Sequence, residues 1–196
     1  EGTTATLLEC FHSEYGDGER FQEAQNNYIC SMVAYSLVCH LLHVKDRHNS
    51  NIMIHKDGYV VHIDFGFALD APGLVPIEMA PFKLTQEMVE VMGGVHSEGY
   101  RRFCELSVEG YLAIRRDAHK VLTLLELSNA AKLSCVVPSS LLHRGTASRV
   151  RDRLQLDLDD DKAFRHALSL VHDSLGSWST GVHEVWQKVV AGIQTV

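Results

Sequence analysis

Lys45-Asp46-Arg47-His48-Asn49-Ser50-Asn51, followed by Val61-His62-Ile63-Asp64-Phe65-Gly66, is the stretch whose reading decides the fold. Between its halves, Ile52-Met53-Ile54 and Tyr59-Val60-Val61-His62-Ile63 are short apolar runs divided by His55-Lys56-Asp57-Gly58. Asp-Gly between β-prone runs signals a hairpin, because both residues tolerate the positive φ that such a turn demands. Asp57 reads as a turn former only. A hairpin that leaves just after Asn51 and returns just before Asp64 delivers one amide oxygen and one carboxylate to one site. Magnesium takes few protein oxygens and completes its shell with phosphate and water, so this pair suits it.

The spacing carries chemistry as well. Asp46 precedes Asn51 by five positions, as the base precedes the metal-binding Asn in H-R-D-L-x-x-x-N, and Asp64 opens a D-F-G triplet. Phosphoryl transfer asks a protein mainly for positioning and for neutralisation of phosphate charge. His48 has two readings: a structural ring, or an acceptor of a hydroxyl proton near neutral pH.

Phe21-Gln22-Glu23-Ala24-Gln25, Ala34-Tyr35-Ser36-Leu37, Val44 to Asn49, His62 to Phe67 and Pro81-Phe82-Lys83-Leu84-Thr85 resemble the phosphoinositide 3-/4-kinase superfamily. Within it, the chain is most similar to the type III phosphatidylinositol 4-kinases. Met88-Val89, Val91-Met92-Gly93-Gly94 and Gly110-Tyr111-Leu112-Ala113-Ile114-Arg115 lean toward the alpha branch, and the likeness is dense from Leu7 to Arg116 and thin afterward.

The resemblance implies a mainly α fold with a small β-hairpin, the helical C-terminal lobe of a protein-kinase-like catalytic domain. Its parts are a catalytic loop at 45–51, an activation segment at 64–84 and C-terminal helices over 85–196. The implied activity is ATP-dependent phosphorylation of phosphatidylinositol at the inositol 4-hydroxyl. Asp46, Arg47 and His48 would be catalytic, Asn51 and Asp64 would hold magnesium or manganese, and Met53 and Ile63 would line the adenine side of the ATP pocket. Phe65, Gly66, Phe67 and Lys83 fall in the activation segment. Ser50 stands where the family usually has Gly, which stiffens the loop and removes no ligand.

The stretch from Asp64 to Leu84 contains Pro72, Gly73, Pro76 and Pro81 and no sustained periodicity. A loop of that length in a compact domain usually has a function, here facing the substrate. From Ala68 to Leu84 it carries Asp70, Glu78 and Lys83, so it offers almost no positive charge to a multiply phosphorylated headgroup. Unphosphorylated phosphatidylinositol is the expected acceptor, and Phe67 also looks like the 4-kinases. Two other classes compete: a lobe of the related large protein kinases, and a noncatalytic kinase-like docking module. Retention of Asp46, Asn51 and Asp64 weighs against the docking module.

With 196 residues, 45% of them hydrophobic, the chain can build a substantial core. A formal charge of -7 argues against nucleic acid as a partner and against wholesale attraction to anionic membrane. No apolar run approaches the roughly 18 residues of a membrane-spanning helix, and the N-terminus has no signal-peptide pattern. Five cysteines without a C-x-x-C pair fit a reducing compartment. The expected setting is cytoplasmic, peripheral on the plasma membrane or the Golgi/ER side. No glycine-rich phosphate loop or strand-borne Lys precedes the catalytic loop, and Glu1 opens the chain. The expected partners are therefore ATP, phosphatidylinositol in membranes, a separate N-terminal lobe and upstream helical regions of a larger protein, and little activity is expected of this chain alone.

Apolar spacing predicts helices over Thr6–Tyr15, closed by Gly16-Asp17-Gly18, and over Phe21–His43. Thr85 is a cap for a helix through Met92 that ends at Gly93-Gly94. Further helices are expected over 98–115, 117–128, 160–175 and 178–193, with a loop over 132–148. Asp159-Asp160-Asp161 suit a helix N-terminus by opposing its dipole. Cys39, His40, His43 and His48 invite a zinc reading, but only Cys39 and His43 share a helix face, so a polar lining of a buried helix is expected. Val182, Val185, Trp186, Val189 and Ile193 make a stripe that packs on the lobe or, as the resemblance implies, engages membrane.

Overall fold

The computed structural model describes residues 5–69, 80–130 and 145–175. At its centre lies helix α2, Glu19–Leu41, whose buried residues include Ala24, Tyr28, Ile29, Met32, Val33, Ser36 and Leu37. Those positions occupy more than one face, so neighbours pack around it rather than along one stripe. The preceding α1, Leu7–Tyr15, begins with a capping box: Thr6 Oγ1 accepts from Glu9 N–H at 3.2 Å, and the Glu9 carboxylate accepts from Thr6 N–H at 2.7 Å. Gly16, at φ 71°, ends it. Helix α2 starts two residues before the expected Phe21 and stops two before His43, which turns away at φ 49°.

After a short 3-10 turn at Asn49–Asn51, strands β1, Ile52–Ile54, and β2, Val60–His62, form an antiparallel hairpin with Ile52 opposite His62 and Met53 opposite Val61. Its tip rests on α2. Gly58 has φ 89°, and a Cβ there would meet the Ala24 carbonyl oxygen at 2.4 Å. Glycine is required for both reasons. Val60 N–H donates to Ser31 Oγ at 2.8 Å and Tyr15 O–H donates to the His55 carbonyl at 3.1 Å, so α1 and α2 together seat the hairpin.

The short helix α3, Gln86–Val91, is capped by Thr85 as expected and followed by Gly93 and Gly94 with positive φ. Helices α4, Glu98–Arg116, and α5, Ala118–Ala130, meet at Asp117. Gly110 of α4 lets Leu37 of α2 come close: a Cβ on Gly110 would lie 2.6 Å from Leu37 Cδ1. Helix α7 covers Asp160–Leu175, as the acidic N-terminal run predicts, with Asp159 Oδ1 accepting from Lys162 N–H at 2.9 Å.

Helix α6, Thr146–Leu154, is a correction, because its first turn falls in the stretch read as a loop over 132–148. Val150 and Leu154, both fully buried, are its large apolar anchors beside the buried Thr146, and Arg149, Arg151, Asp152 and Arg153 hide its apolar period. Tertiary contacts supply the rest: Arg153 Nη1 donates to the Leu41 carbonyl at the end of α2, and Arg115 of α4 donates to the carbonyls of Leu154, Gln155 and Leu158. The helix expected over 178–193 lies outside the described residues.

Candidate active site

Asp46 and Asp64 both stand in left-handed backbone, at φ 62° and 56°. For residues with a Cβ that conformation costs roughly 1–2 kcal/mol, so each must be held. The carbonyl of Asp46 accepts from Asn51 Nδ2 at 2.9 Å, and the carbonyl of Asp64 accepts from Arg47 Nη2. Each aspartate is thus pinned by a residue of the loop 45–51.

The hairpin brings Asn51 and Asp64 to neighbouring positions of the backbone register. Pairing runs one step beyond the regular strands, with Ile63 N–H donating to the Asn51 carbonyl at 3.0 Å, so Asp64 directly follows the residue opposite Asn51. In regular strand geometry Asp64 would point away from the Asn51 face, and its left-handed turn breaks that alternation. Asn51 is only 6% exposed. Because a carbonyl can only accept, the bond to Asp46 fixes which end of the Asn51 amide is nitrogen. Among the described residues its Oδ1 accepts no hydrogen bond. Asp64 Oδ1 accepts from Gly66 N–H at 3.2 Å, which leaves Oδ2 available.

Two hard oxygens, one neutral and one anionic, fit a magnesium or manganese ion that keeps water and phosphate in its shell. Among the described residues no three His, Cys, Asp or Glu gather as a metal site. Cys39 instead lies with Sγ 3.7 Å from His62 Nδ1, and His40 Nε2 is buried without a hydrogen-bond partner.

His48 is about half exposed, with Nε2 3.1 Å from Asn51 Nδ2 and 3.9 Å from Asp46 Oδ2. Since Asn51 Nδ2 donates, Nε2 bears the lone pair and the neutral ring carries its proton on Nδ1. A proton acceptor therefore stands beside the Asp46 carboxylate. His62 is different: it is 8% exposed, stacks on Tyr35 at 4.2 Å, and its pKa is lowered to about 4 by burial and by the nearby Arg47 and Lys83 charges. It is a neutral packing ring beneath the hairpin.

Arg47, expected to be catalytic, is 2% exposed and points inward. Its Nε donates to the Lys45 carbonyl at 3.0 Å, Nη1 to the Ile63 carbonyl at 2.7 Å and Nη2 to the Asp64 carbonyl, with the Phe65 ring 5.5 Å from Cζ. It joins loop 45–51 to the start of segment 64–84 and is a positioning residue. Met53 and Ile63 are 53% and 39% exposed, and Val61, opposite Met53, shares their outward face. Phe67 is exposed, and its carbonyl accepts from Lys45 N–H at 2.9 Å.

The far end of segment 64–84 is tied back to the same loop. Lys83 Nζ donates to Asn49 Oδ1 at 2.8 Å, and Lys45 Nζ donates to the Ala80 carbonyl at 2.8 Å. Phe82 N–H donates to Ser174 Oγ of α7 at 3.2 Å. Lys45 and Val61 stand in the stretch that decides the fold but had no individual role in the sequence reading, and Ser174 had none either. Val61 was legible through its two-residue spacing from Ile63, whereas nothing in sequence links Ser174 to Phe82.

The helical lobe carries Asp46, His48 and Asn51 on one loop and Asp64 at the hairpin's open end, residue types that phosphoryl transfer uses. Comparison with known families makes this specific. Residues 1–137 match the family model described as Phosphatidylinositol 3- and 4-kinase, and the chain belongs to that family. A phosphatidylinositol 4-kinase of Dictyostelium discoideum is 41% identical over 96% of this chain and 16% of its own length. Phosphatidylinositol 4-kinase beta 1 of Arabidopsis thaliana is 38% identical over 96% of this chain and 17% of its own length. Phosphatidylinositol 4-kinase stt4 of Schizosaccharomyces pombe is 39% identical over 95% of this chain and 10% of its own length. The chain thus spans about a sixth or less of the length of these relatives.

Proposed function

We propose that this chain supplies the catalytic loop and activation segment of a phosphatidylinositol 4-kinase, which moves the γ-phosphoryl group of ATP to the inositol 4-hydroxyl. The observation that carries the reading is the Ile63–Asn51 backbone bond, which brings Asn51 and Asp64 to adjacent register beside Asp46 and His48. The names of the relatives support the acceptor.

His48 Nε2, beside the Asp46 carboxylate, releases the Asn51 amide and takes the proton of the 4-hydroxyl as its oxygen bonds to the γ-phosphorus. The bond from that phosphorus to the β–γ bridging oxygen breaks, and ADP leaves. Asn51 and Asp64 would hold magnesium, which when bound would neutralise charge on the phosphates. Met53, Val61 and Ile63 give the adenine an apolar wall. Arg47 keeps Asp64 in register with the loop. Segment 64–84, poor in positive charge, suits the unphosphorylated lipid. A second lobe, upstream helical regions and a membrane surface reached from the cytoplasm complete the working enzyme, so residues 1–196 alone turn over slowly.

The test offers the full-length parent protein phosphatidylinositol and a peptide side by side, with labelled ATP and magnesium. Lipid labelling that disappears in Asp64→Ala is the expected result. Labelling of the peptide alone would overturn the lipid assignment, and failure to bind magnesium nucleotide would remove the kinase.

A further inference from the structure

Beneath the hairpin, between it and helices α1, α2 and α3, lies a cavity of about 150 Å³ whose apolar lining includes Met32, Ile54, Val60 and Met88. Side chains alternate across a strand, so Ile54 and its partner Val60 face this cavity while Met53 and Val61 face outward. The cavity and the outward apolar face are therefore opposite sides of one thin sheet. An apolar space of about this size takes up a benzene ring. Two polar groups qualify the lining. Tyr28 of α2 is 1% exposed, and its hydroxyl is buried without a hydrogen-bond partner among the described residues. Burial also pushes its pKa up, so it stays a protonated donor. Glu87 of α3 lines the same cavity from an exposed position and has no ion pair among the described residues.

We propose that this cavity is a binding site for a small aromatic amine that bears a hydroxyl or ether oxygen, separate from the outward face of the hairpin. The ring packs on Ile54, Val60 and the two methionines, whose flexible thioethers adapt to its outline. A buried donor and an exposed carboxylate call for an oxygen at the inner end of the ligand and a cation at the outer end. The oxygen accepts from the Tyr28 hydroxyl, and that gain is larger than usual because a buried donor left unpaired carries a desolvation cost which the ligand removes. The ammonium answers Glu87. Its contribution is smaller, since an ion pair open to solvent is screened. A carboxylate in place of the ammonium would meet Glu87 as a like charge, so the site rejects anions of the same shape. The site does not depend on the kinase reading.

Ligand-observed NMR titration of the full-length parent protein tests this with three probes that share one ring: tyramine, 2-phenylethylamine and 4-hydroxyphenylacetate. Tyramine is expected to bind saturably, and 2-phenylethylamine, which lacks the hydroxyl, to bind roughly fivefold more weakly, the scale of one hydrogen bond. For 4-hydroxyphenylacetate the loss is roughly tenfold, because attraction turns into repulsion. In Tyr28→Phe the two amines should bind alike, and in Glu87→Gln tyramine should weaken by roughly threefold. Leu7→Trp fills the cavity from α1 and should abolish binding of all three. Saturating magnesium nucleotide should leave the tyramine Kd within about twofold, since the sheet separates the cavity from the outward face. Absence of saturable tyramine binding, an undiminished preference for tyramine over 2-phenylethylamine in Tyr28→Phe, or displacement of tyramine by nucleotide would each overturn the proposal. Circular dichroism checks that the variants fold, and if Leu7→Trp does not, the Tyr28→Phe comparison decides alone.

Discussion

Replacing Arg47 with Ala tests the clamp on which the site geometry depends. The side chain is 2% exposed and donates to the carbonyls of Lys45, Ile63 and Asp64. Hydrogen bonds from charged groups contribute roughly 1.5–3 kcal/mol each, and removing the donor leaves carbonyl groups without a partner in a place water reaches poorly. Even at the lower end of that range, three such bonds amount to about 4.5 kcal/mol, a large share of the roughly 5–15 kcal/mol that holds a domain together. Urea unfolding of the 196-residue chain, followed by circular dichroism at fixed pH, should show a loss of that size for Arg47→Ala. Arg47→Lys keeps the charge but cannot fork to three carbonyls, so it should recover less than half. A loss below about 1 kcal/mol for Ala, or full recovery with Lys, would refute the clamp, since either result means that fork geometry contributes little. In the full-length protein the same Ala variant should weaken magnesium-dependent nucleotide binding, because Asp64 loses the partner that holds its left-handed backbone.

Gly58→Ala must resolve both a positive φ and a 2.4 Å approach to the Ala24 carbonyl oxygen, so a stability loss of more than about 2 kcal/mol is expected; an unchanged Tm would mean that the hairpin tip is not seated on α2. Ser174→Ala leaves the Phe82 N–H without its partner, which should cost about 1–2 kcal/mol and speed hydrogen exchange at Phe82; equal exchange in both forms would remove the tether. Stability should also fall with acid. His40 has a folded-state pKa lowered from 6.5 to about 4, chiefly by burial, so between those values the unfolded chain binds more protons than the folded one. The contribution is complete above pH 6.5 and lost as pH falls toward 4, the loss reaching about 2 kcal/mol by pH 5, with His62 adding in the same direction. Urea unfolding at pH 7.5 and 5 measures it, and a His40→Gln variant should show a shallower dependence; identical slopes would exclude His40 as a source.

Much of the site was legible before any coordinates. The hairpin declared itself through Asp57-Gly58 between β-prone runs, and its closure set Ile63 opposite Asn51 with Asp64 next in the chain, because antiparallel pairing returns a chain to its origin. The capped helices α3 and α7 were readable for a similar reason: Thr85 and the acidic run at 159–161 act on backbone groups only a few residues away, whereas Thr6 was read as the first residue of α1 and turns out to be its cap. Helix α6 was not readable, since its two apolar anchors sit among charges whose partners lie in α2 and α4.

What the sequence by itself determined is the set of local interactions: the turn, the caps, the apolar periods and the spacing of Asp46, Asn51 and Asp64. What only the tertiary structure decided is the direction in which the long polar side chains point. Arg47 was readable as a charge beside the catalytic aspartate, but its donors could be assigned only once the carbonyls of Ile63 and Asp64 had been folded over it. The same holds for Lys45 on Ala80, Lys83 on Asn49 and Ser174 at Phe82. Hydrogen bonds across 34 to 92 residues depend on where distant backbone arrives, and that is fixed by packing around α2 rather than by any local pattern.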